Sequence, residues 1–366
     1  MKIVLTGGHL SPLLSVIDGL SKENDKILVI GRKHALEGDK VLSLEYQTLI
    51  DKKVEFVSIN TARFQRKFTR YTLLSFVKFP YGVIQSLSIL KKFKPNVVLS
   101  FGGYIALPVV FSAYILRIPI VLHEQTLETG LSNKIAAFFA KKVCISWLSS
   151  AKFFNKDKVV LTGNPIRSDF LKIDSKNYSK KERPVIYVTG GSLGSHFLNL
   201  FISDCIKDFV QNYTVFHQTG AANNSFDFNN LKKIRDSLGS FKERYILSEF
   251  VKPEDVGKII SQADLVISRS GVNTITELIY LGKPAILVPL VFSQKNEQLK
   301  NALFFKELGL GEILEKNASS NDLCQKVILM LSNINNYKKS GEKAKGLIKK
   351  EAAENIINVL KSCANK

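Results

Sequence analysis

The chain has 366 residues, of which 45% are hydrophobic and 23% are charged, a balance typical of folded globular proteins. A single core rarely grows beyond about 250–300 residues, so the length predicts two domains. The 52 basic and 32 acidic residues give a net charge of +20. This excess suggests a nucleic acid, an anionic membrane surface or a phosphorylated substrate as partner, and composition does not choose among them.

The four cysteines, Cys144, Cys205, Cys324 and Cys363, are far apart and form no C-x-x-C pair. We therefore expect neither a disulfide framework nor a structural zinc site, and a reducing compartment fits best. The apolar run that follows Met1 is too short for the apolar region of a signal peptide.

Short apolar runs typical of buried β-strands recur in the first half, and helix-length segments separate many of them. These runs are residues 2–5, 26–30, 54–59, 97–100, 118–122, 143–146 and 159–162. A second series follows at 185–188, 213–217, 245–248, 265–268 and 285–289. The alternation predicts parallel sheets covered on both faces. Between the two series, residues 171–184 are polar and lysine-rich, as expected of a connector between domains.

Residues 95–116 carry no charge and reach the length of about 20 residues that a membrane span requires. Gly102, Gly103 and Pro108 interrupt this stretch. We interpret it as a buried strand over 96–101, a turn, and a short helix over 106–116, because buried parallel strands are continuously apolar.

No acidic residue lies between Glu55 and Glu124, and aromatic residues from Phe64 to Tyr81 interleave with basic ones. The basic residues of this stretch are Arg63, Arg66, Lys67, Arg70, Lys78, Lys91, Lys92, Lys94 and Arg117. They form either a solvated helix face over core aromatics or a surface that contacts a membrane or partner, and both interpretations stay open. Nucleic-acid binding is disfavoured, because no helix-turn-helix, RNA-recognition or zinc-finger pattern is present.

Each half opens with a strand, a Thr-Gly-Gly turn and a helix. The first turn is Thr6-Gly7-Gly8, followed by His9, and the second is 189–191, followed by a serine. Glycine lets backbone amides approach a ligand closely, and a helix N-terminus favours negative charge. Two such turns predict two Rossmann-like domains facing a cleft, with ligands at the carboxyl ends of the strands.

A cluster of small polar residues follows the strand that ends near residue 267. It fits a diphosphate cradle made of Ser270, Gly271, Val272, Asn273 and Thr274, with Glu277 placed to accept both hydroxyls of a ribose. The alternative is an ordinary helix capped by Ser270 or Thr274. Farther on, Gln298 opens a helix, where its amide suits either sugar hydroxyls or helix capping.

In the first half, the segments 101–104 and 123–126 both end strands. His9, on a glycine turn, is a candidate general base, because an imidazole titrates near working pH. Glu124 or His123 would assist it.

No metal is expected at the site. The sequence contains no Asp-x-Asp pair and no His or Cys cluster with metal-ligand spacing. Glycine turns, helix N-termini and Arg167 or Arg269 would hold a diphosphate instead.

An ordered set of segments resembles the MurG family of glycosyltransferases over nearly the whole chain. The matching segments are 6–9 with Pro12, 102–104 with Pro108, 123–125 with Gly130 and Asn133, 163–167, 190–192 with Gly194, 217–220, 269–271 with Glu277, and Gln298 with 301–302. No single segment is decisive, and the specificity lies in the set.

The resemblance implies a GT-B architecture, with two Rossmann-like parallel-sheet domains facing a deep cleft. Residues 1–163 would bind the acceptor and face the membrane, residues 164–344 would bind the donor, and a last helix at about 345–366 would pack back on the first domain. The implied reaction is inverting transfer of N-acetylglucosamine from UDP-N-acetylglucosamine to the 4-hydroxyl of a lipid-linked muramoyl-pentapeptide, without a cofactor. The implied location is the cytoplasmic face of the plasma membrane, with the segment Arg63–Tyr81 on anionic lipid and no nucleic-acid partner.

The resemblance also assigns roles. His9 would deprotonate or orient the acceptor hydroxyl. Glu124 and Tyr104 are the other two candidate catalytic residues. The residues implied in substrate binding are Thr6, Gly7, Gly8, Thr126, Asn133, Arg167, Gly191, Ser192, Phe250, Val251, Ser270, Gly271, Val272, Asn273, Thr274, Glu277 and Gln298.

Three departures separate this chain from the family pattern. The first glycine turn is shorter, Thr126 replaces the usual Asn, and Leu193 replaces a frequent Gln or other polar residue. Two alternatives therefore stay open: a related UDP-sugar transferase with another lipid acceptor, and a non-catalytic nucleotide-sugar-binding scaffold.

Overall fold

The computed structural model describes residues 1–23, 25–34, 42–61, 70–173, 182–191, 193–221, 225–290 and 296–364. The chain divides into two compact units. Unit 1 consists of Met1–Arg167 and Lys349–Lys366, and unit 2 consists of Ser168–Ile348.

Unit 1 contains a seven-stranded parallel sheet in the order β3-β2-β1-β4-β5-β6-β7. The strands are β1 Lys2–Thr6, β2 Lys26–Gly31, β3 Glu55–Ser58, β4 Val97–Ser100, β5 Ile120–Glu124, β6 Lys142–Ile145 and β7 Val159–Leu161. The helices are α1 Leu10–Leu20, α2 Leu44–Asp51, α3 Arg70–Phe93, α4 Ala106–Ile115, α5 Leu131–Phe139 and, at the end of the chain, α14 Ala352–Ala364.

Unit 2 contains a six-stranded parallel sheet in the order β10-β9-β8-β11-β12-β13. The strands are β8 Val185–Thr189, β9 Thr214–Gln218, β10 Tyr245–Ser248, β11 Leu265–Ser268, β12 Ala285–Leu287 and β13 Gly311–Ile313. The helices are α6 Ser168–Leu171, α7 His196–Asn212, α8 Phe226–Asp236, α9 Pro253–Gln262, α10 Val272–Leu281, α11 Glu297–Glu307, α12 Ser320–Ser332 and α13 Ile334–Ala344.

Buried strands explain the continuous apolar runs of the sequence. On β1, Ile3 and Leu5 pack on one face against α1 and α14, whereas Val4 packs on the other face against α4. Successive side chains of a strand point to opposite faces, so a sheet covered on both sides needs apolar residues at every position. The predicted α/β class, with two Rossmann-like sheets, is confirmed.

All twelve predicted strands are present, with ends within two residues of the expected ones. The sequence missed β13, because three residues that begin with glycine give no usable pattern. Residues 95–116 form β4, a turn and α4, which confirms the interpretation of this stretch. Among the described residues, no helix is both long and apolar enough to cross a membrane.

In both sheets the strand order reverses at the first strand. β1 lies between β2 and β4, and β8 lies between β9 and β11. In register, Thr6 pairs with Ser100 and Thr189 pairs with Ser268, so the turns after these strands are neighbours. Ligands of open α/β sheets bind at this point, beyond the carboxyl ends of the strands.

Unit 1 extends to Arg167, four residues past the boundary at 163 expected from the sequence. Asn355 of α14 donates its side-chain amide to the Thr162 carbonyl at 3.3 Å. A Cβ on Gly163 would lie 3.0 Å from the Cβ of Lys349. These contacts hold Thr162 and Gly163 against the C-terminal segment of unit 1.

The polar stretch 171–184, which the sequence predicts to connect the two domains, begins within unit 2, because that unit starts at Ser168. Phe170 is fully buried, and Phe170 and Ile173 lie against Gly257 of α9, which has no room for a side chain. The chain is therefore anchored in unit 2 before this stretch begins. Residues 174–181 lie outside the described residues.

Candidate functional site

The polar groups of the first glycine turn form hydrogen bonds with other residues of unit 1. The buried Thr6 accepts a hydrogen bond at its Oγ1 from the Phe101 amide at 3.1 Å. The Gly7 amide donates to the Ile30 carbonyl at 2.8 Å, and the Gly8 amide donates to Oε2 of Glu45 at 2.8 Å. In this arrangement neither glycine amide is free to hold an anion, and a direct role of Thr6, Gly7 and Gly8 in substrate binding stays a prediction.

His9 occupies the N-cap position of α1, although its side chain makes no capping hydrogen bond. Burial of the imidazole lowers the pKa of His9 to about 4. Burial also lowers the pKa of His123 to about 4, and the nearby His9 contributes to that shift. Both rings are therefore neutral at pH 7, and a neutral imidazole can accept a hydrogen bond or a proton.

Glu124 is the centre of a buried polar cluster at the end of β5. Its Oε1 accepts from the Thr126 amide at 2.9 Å and lies 2.6 Å from the Thr126 hydroxyl, which is also 2.5 Å from the Glu128 carbonyl. Its Oε2 accepts from the Asn133 side-chain amide at 2.9 Å. Burial raises the pKa of Glu124, and these donors oppose that rise. The structure therefore brings Glu124, Thr126 and Asn133 together.

Tyr104 lies at the end of β4, where its hydroxyl accepts from Nη1 of Arg32 at 3.3 Å. The Arg32 guanidinium carbon also lies 5.9 Å from the centre of the Tyr104 ring, which is within cation–π range. The sequence had given no role to Arg32.

Gly102 and Gly103 offer a matched pair for testing how Asn133 is held. Both have positive φ, at +84° and +80°. A Cβ on Gly102 would lie 2.9 Å from the Asn133 Cγ, whereas a Cβ on Gly103 would meet nothing within 4 Å.

We expect Gly103→Ala to lower the free energy of unfolding by about 1 kcal/mol through backbone strain alone. Gly102→Ala should lower it by about 2–4 kcal/mol, because the same strain is joined by displacement of Asn133. Denaturant unfolding of both variants measures the difference. Equal losses in the two variants would contradict the tight fit of Asn133 against Gly102.

The turns of unit 2 leave more open space. Gly191 has φ +86°, and a Cβ there would meet nothing within 4 Å, although its amide donates to the Thr189 hydroxyl at 3.0 Å. On the neighbouring strand, a Cβ on Gly271 would meet only the Thr274 hydroxyl, at 3.8 Å. Space beside two glycine turns at the switch point suits an approaching diphosphate. Ser192 lies outside the described residues.

The segment around Ser270 is fixed by α11. The Ser270 hydroxyl donates to the Gln298 carbonyl at 2.8 Å, and the Asn301 side chain donates to the Ser270 carbonyl at 3.0 Å. Oε1 of Gln298 accepts from the Leu290 amide at 2.9 Å. The structure therefore brings Ser270 and Gln298 together, with the Gln298 oxygen already engaged within the protein.

Helix α10 carries the remaining predicted donor residues. It begins at Val272 and includes Asn273, Thr274 and the buried Glu277. The N-cap of α10 is Gly271, and no side chain caps the helix. The alternative interpretation, in which Ser270 or Thr274 caps it, is therefore wrong.

Phe250 and Val251 follow β10. The Phe250 side chain is half exposed and its carbonyl accepts from the Ser248 hydroxyl at 2.8 Å, while Val251 is buried. Arg167 is the last residue of unit 1 and is partly exposed. The contacts of these three residues with a ligand stay predictions.

The sequence also missed a buried hydrogen-bond chain in unit 2. The side-chain oxygen of Asn199 accepts a hydrogen bond from Nε2 of His217 at 3.1 Å. A neutral imidazole has only one N–H, so Nδ1 of His217 accepts from the Tyr245 hydroxyl at 2.8 Å. Asn199 donates to Asp227, which pairs with the half-exposed His196 at 2.8 Å. Burial lowers the pKa of His217 to about 3, so this ring is neutral at pH 7.

Comparisons with known proteins agree with this arrangement. The family model for the glycosyltransferase family 28 N-terminal domain matches residues 4–145, and the model for the C-terminal domain of the same family matches residues 185–356.

The chain is 32% identical to a UDP-N-acetylglucosamine–N-acetylmuramyl-(pentapeptide) pyrophosphoryl-undecaprenol N-acetylglucosamine transferase of Clostridium tetani, over 98% of this chain and 97% of that protein. It is 33% identical to the transferase 2 of the same name from Bacillus anthracis, over 98% of each. The crystal structure of Acinetobacter baumannii MurG has a TM-score of 0.75 at 22% identity and covers 99% of both chains. The predicted GT-B fold is confirmed.

Proposed function

Because the chain belongs to the MurG family within glycosyltransferase family 28, we propose that it transfers N-acetylglucosamine from UDP-N-acetylglucosamine to the 4-hydroxyl of a lipid-linked muramoyl-pentapeptide. This reaction is a step of peptidoglycan precursor synthesis. The observation that carries the proposal is that His9, Tyr104 and Glu124 stand at or within four residues of the carboxyl ends of β1, β4 and β5, which are neighbours in the sheet.

The acceptor side of the proposed reaction lies in unit 1. An inverting transfer is one displacement, in which the acceptor hydroxyl loses a proton as the sugar–diphosphate bond breaks. The neutral His9 accepts a hydrogen bond from that hydroxyl and takes its proton. With a pKa of about 4 it is a weak base, so the proton moves as the leaving group departs rather than beforehand. Glu124 holds Thr126 and Asn133 beside it.

The donor side of the proposed reaction lies in unit 2. The open glycine turns at Gly191 and Gly271 receive the diphosphate, where negative charge develops as the bond to the sugar breaks. The buried Glu277 receives the ribose hydroxyls, and Gln298 receives the sugar. Arg167, Ser192 and the main chain of Val251 complete the proposed donor contacts. We expect no metal requirement, because the sequence lacks the Asp-x-Asp pair that holds a cation on the donor.

Release of UDP across a panel of acceptors tests this function against its two alternatives. Purified protein with UDP-N-acetylglucosamine should release UDP with the lipid-linked muramoyl-pentapeptide and not with diacylglycerol, in the presence of EDTA. UDP release with diacylglycerol instead would favour a transferase for another lipid. UDP binding without release on either acceptor would favour a nucleotide-sugar-binding scaffold.

We also propose that unit 1 docks on anionic lipid at the cytoplasmic face of the plasma membrane. Helices α3, α4 and α5 cover one face of its sheet. Their outer surfaces expose Tyr81, Ile84, Phe111, Tyr114, Ile115, Leu131, Ile135 and Phe138. Exposed apolar side chains beside basic ones are typical of peripheral membrane surfaces. Residues 62–69 of the predicted segment Arg63–Tyr81 lie outside the described residues, as do the side chains of 70–77.

Replacing Ile84, Tyr114 and Phe138 together with serine should lower binding to phosphatidylglycerol vesicles by about tenfold or more, because each loses apolar burial in the lipid. Vesicle sedimentation measures the bound fraction. Phe226→Ser is the matched control, since Phe226 of unit 2 is 64% exposed like Ile84. UDP binding should not change in either variant.

The basic residues of the sequence segment 63–70 provide a second arm of this experiment. Each lysine or arginine near an anionic surface contributes about 1 kcal/mol of attraction. A variant with serine at Arg63, Arg66, Lys67 and Arg70 should also bind the vesicles less well. If both variants bind like the parent protein, the surface is only a solvated face.

A further inference from the structure

The carboxylate of Glu45 lies directly on the glycine turn that precedes His9. Its Oε2 accepts from the Gly8 amide at 2.8 Å. Glu45 belongs to α2, which follows β2 in the chain, so this contact joins the ends of two neighbouring strands. No local sequence pattern predicts it.

Two glycines make room for this carboxylate. A Cβ on Gly7 would lie 2.7 Å from the Glu45 Cδ and closer still to Oε1, and the three atoms nearest to it all belong to Glu45. A Cβ on Gly31 would also meet Oε1, as well as the Phe56 ring at 2.9 Å. Oε1 is buried and has no hydrogen-bond partner among the described residues. The turn and the end of β2 are therefore shaped around the carboxylate, which fits only because both positions lack a side chain.

The charge of Arg32 acts on this carboxylate from nearby. Burial raises the pKa of Glu45, whereas the Gly8 amide and the charge of Arg32 lower it. The same guanidinium donates to the Tyr104 hydroxyl. Glu45 thus contacts the His9 turn, and the neighbouring charge of Arg32 contacts Tyr104.

Helix α2 does not depend on Glu45 for its own position. Its N-cap is Ser43, whose hydroxyl accepts from the Tyr46 amide at 3.1 Å and donates to the Arg32 carbonyl at 2.9 Å. The Ser43 amide donates to the Lys33 carbonyl at 2.8 Å. The helix is therefore anchored to the end of β2 without the Glu45 carboxylate.

We propose that Glu45 is a positioning residue for the transfer: its carboxylate fixes the Gly7-Gly8 turn that presents His9. This inference rests on the proposed function. Glu45 touches the turn and not the reacting groups. Loss of its carboxylate should therefore slow the reaction without weakening the binding of UDP in unit 2.

The first test compares three variants on α2. Glu45→Ala should lower kcat by about 30–100-fold, as expected for an imidazole displaced by about 1 Å, while the Kd of UDP stays within about twofold. Glu45→Gln keeps an oxygen for the Gly8 amide and should recover most of that loss. Asp51→Ala, an exposed acid on the same helix, is the control and should stay within about twofold of the parent.

Two outcomes of this comparison would overturn the proposal. One is a folded Glu45→Ala variant whose kcat stays within about threefold of the parent. The other is a loss of kcat and UDP affinity in equal proportion, which would make Glu45 a structural residue only.

A double-mutant cycle tests the contact itself. Gly7→Ala should lower the melting temperature and kcat, because its methyl group meets the Glu45 carboxylate. In a Glu45→Ala background the same change should have little further effect, since the obstructing atoms are gone. If Gly7→Ala alone does not fold, the double variant should still fold and match Glu45→Ala. Additive losses would overturn the proposed contact.

The failure of this inference can be separated from the failure of the proposed function. If the parent protein transfers no sugar to any acceptor, the proposed function fails. The double-mutant cycle of Gly7→Ala and Glu45→Ala can still test the contact, with melting temperatures and the NMR shifts of the His9 ring as its measurements. If the parent is active and Glu45→Ala equals it, only the inference fails.

Discussion

Replacing His9 with alanine should lower kcat by about 10²–10⁴-fold, the usual contribution of a positioned general base. The Kd of UDP should stay nearly unchanged, because the proposed donor contacts do not include His9 and, apart from Arg167, lie in unit 2. The fold should tolerate the change, since the His9 side chain makes no capping hydrogen bond to α1. Steady-state kinetics and UDP titration together measure both effects.

The control for this variant is His34→Ala, an exposed histidine of unit 1 that should leave kcat unchanged. The pH profile gives an independent check. An imidazole with a pKa of about 4 is mostly neutral above about pH 5, so in the free enzyme its protonation should reduce kcat/KM only below about that pH. An unperturbed imidazole would already do so near pH 6.5. Equal loss of turnover and UDP affinity in His9→Ala would mean that His9 is structural.

Replacing Glu124 with glutamine should lower kcat by about 10²-fold and the free energy of unfolding by about 1–3 kcal/mol. The carboxylate accepts from Thr126 on one oxygen and from Asn133 on the other. Glutamine places an NH₂ group at one of these positions, so a donor faces a donor inside a buried cluster. The acceptor KM should rise with this loss, because Asn133 is released.

Kinetics and denaturant unfolding of Glu124→Gln measure the two losses separately. Glu55→Gln is the control, since Glu55 is an exposed acid at the start of β3. An unchanged unfolding free energy with full activity would show that the cluster does not need the carboxylate.

The central strands were predictable because they are buried on both faces and are therefore almost continuously apolar. β1 and β4 illustrate this: every residue of β4, and every residue of β1 after Lys2, is buried. β13 was missed because Gly311, Glu312 and Ile313 are too few to show a period. The boundary expected at 163 differs by four residues from the end of the first segment of unit 1 at Arg167, because contacts such as that of Thr162 with Asn355 of α14 join residues almost two hundred positions apart and leave no local pattern.

The candidate site was predictable only where the residues form a motif. The Thr-Gly-Gly turn, His9 and the segment around Glu124 stand in recognisable order. Glu45 lies 37 residues beyond the glycine turn that it contacts, on a helix with no distinctive pattern. Its role follows from the strand order, which places the end of β2 beside the end of β1, and from the space left by Gly7 and Gly31.

The net charge now has a more specific interpretation than at the outset. The acid-free stretch between Glu55 and Glu124 lies in unit 1, the unit proposed to bind the lipid-linked acceptor. Its described part exposes Tyr81 and Ile84 on α3. Charge and apolar exposure on one unit favour a lipid surface over a nucleic acid.

Mass spectrometry of the acceptor after incubation tests the central claim most directly. With UDP-N-acetylglucosamine, the lipid-linked muramoyl-pentapeptide should gain the mass of one N-acetylhexosamine, and little of this product should form from the 4-epimer of the donor or with the His9→Ala variant. An acceptor of unchanged mass, with a protein that binds UDP, would contradict the account.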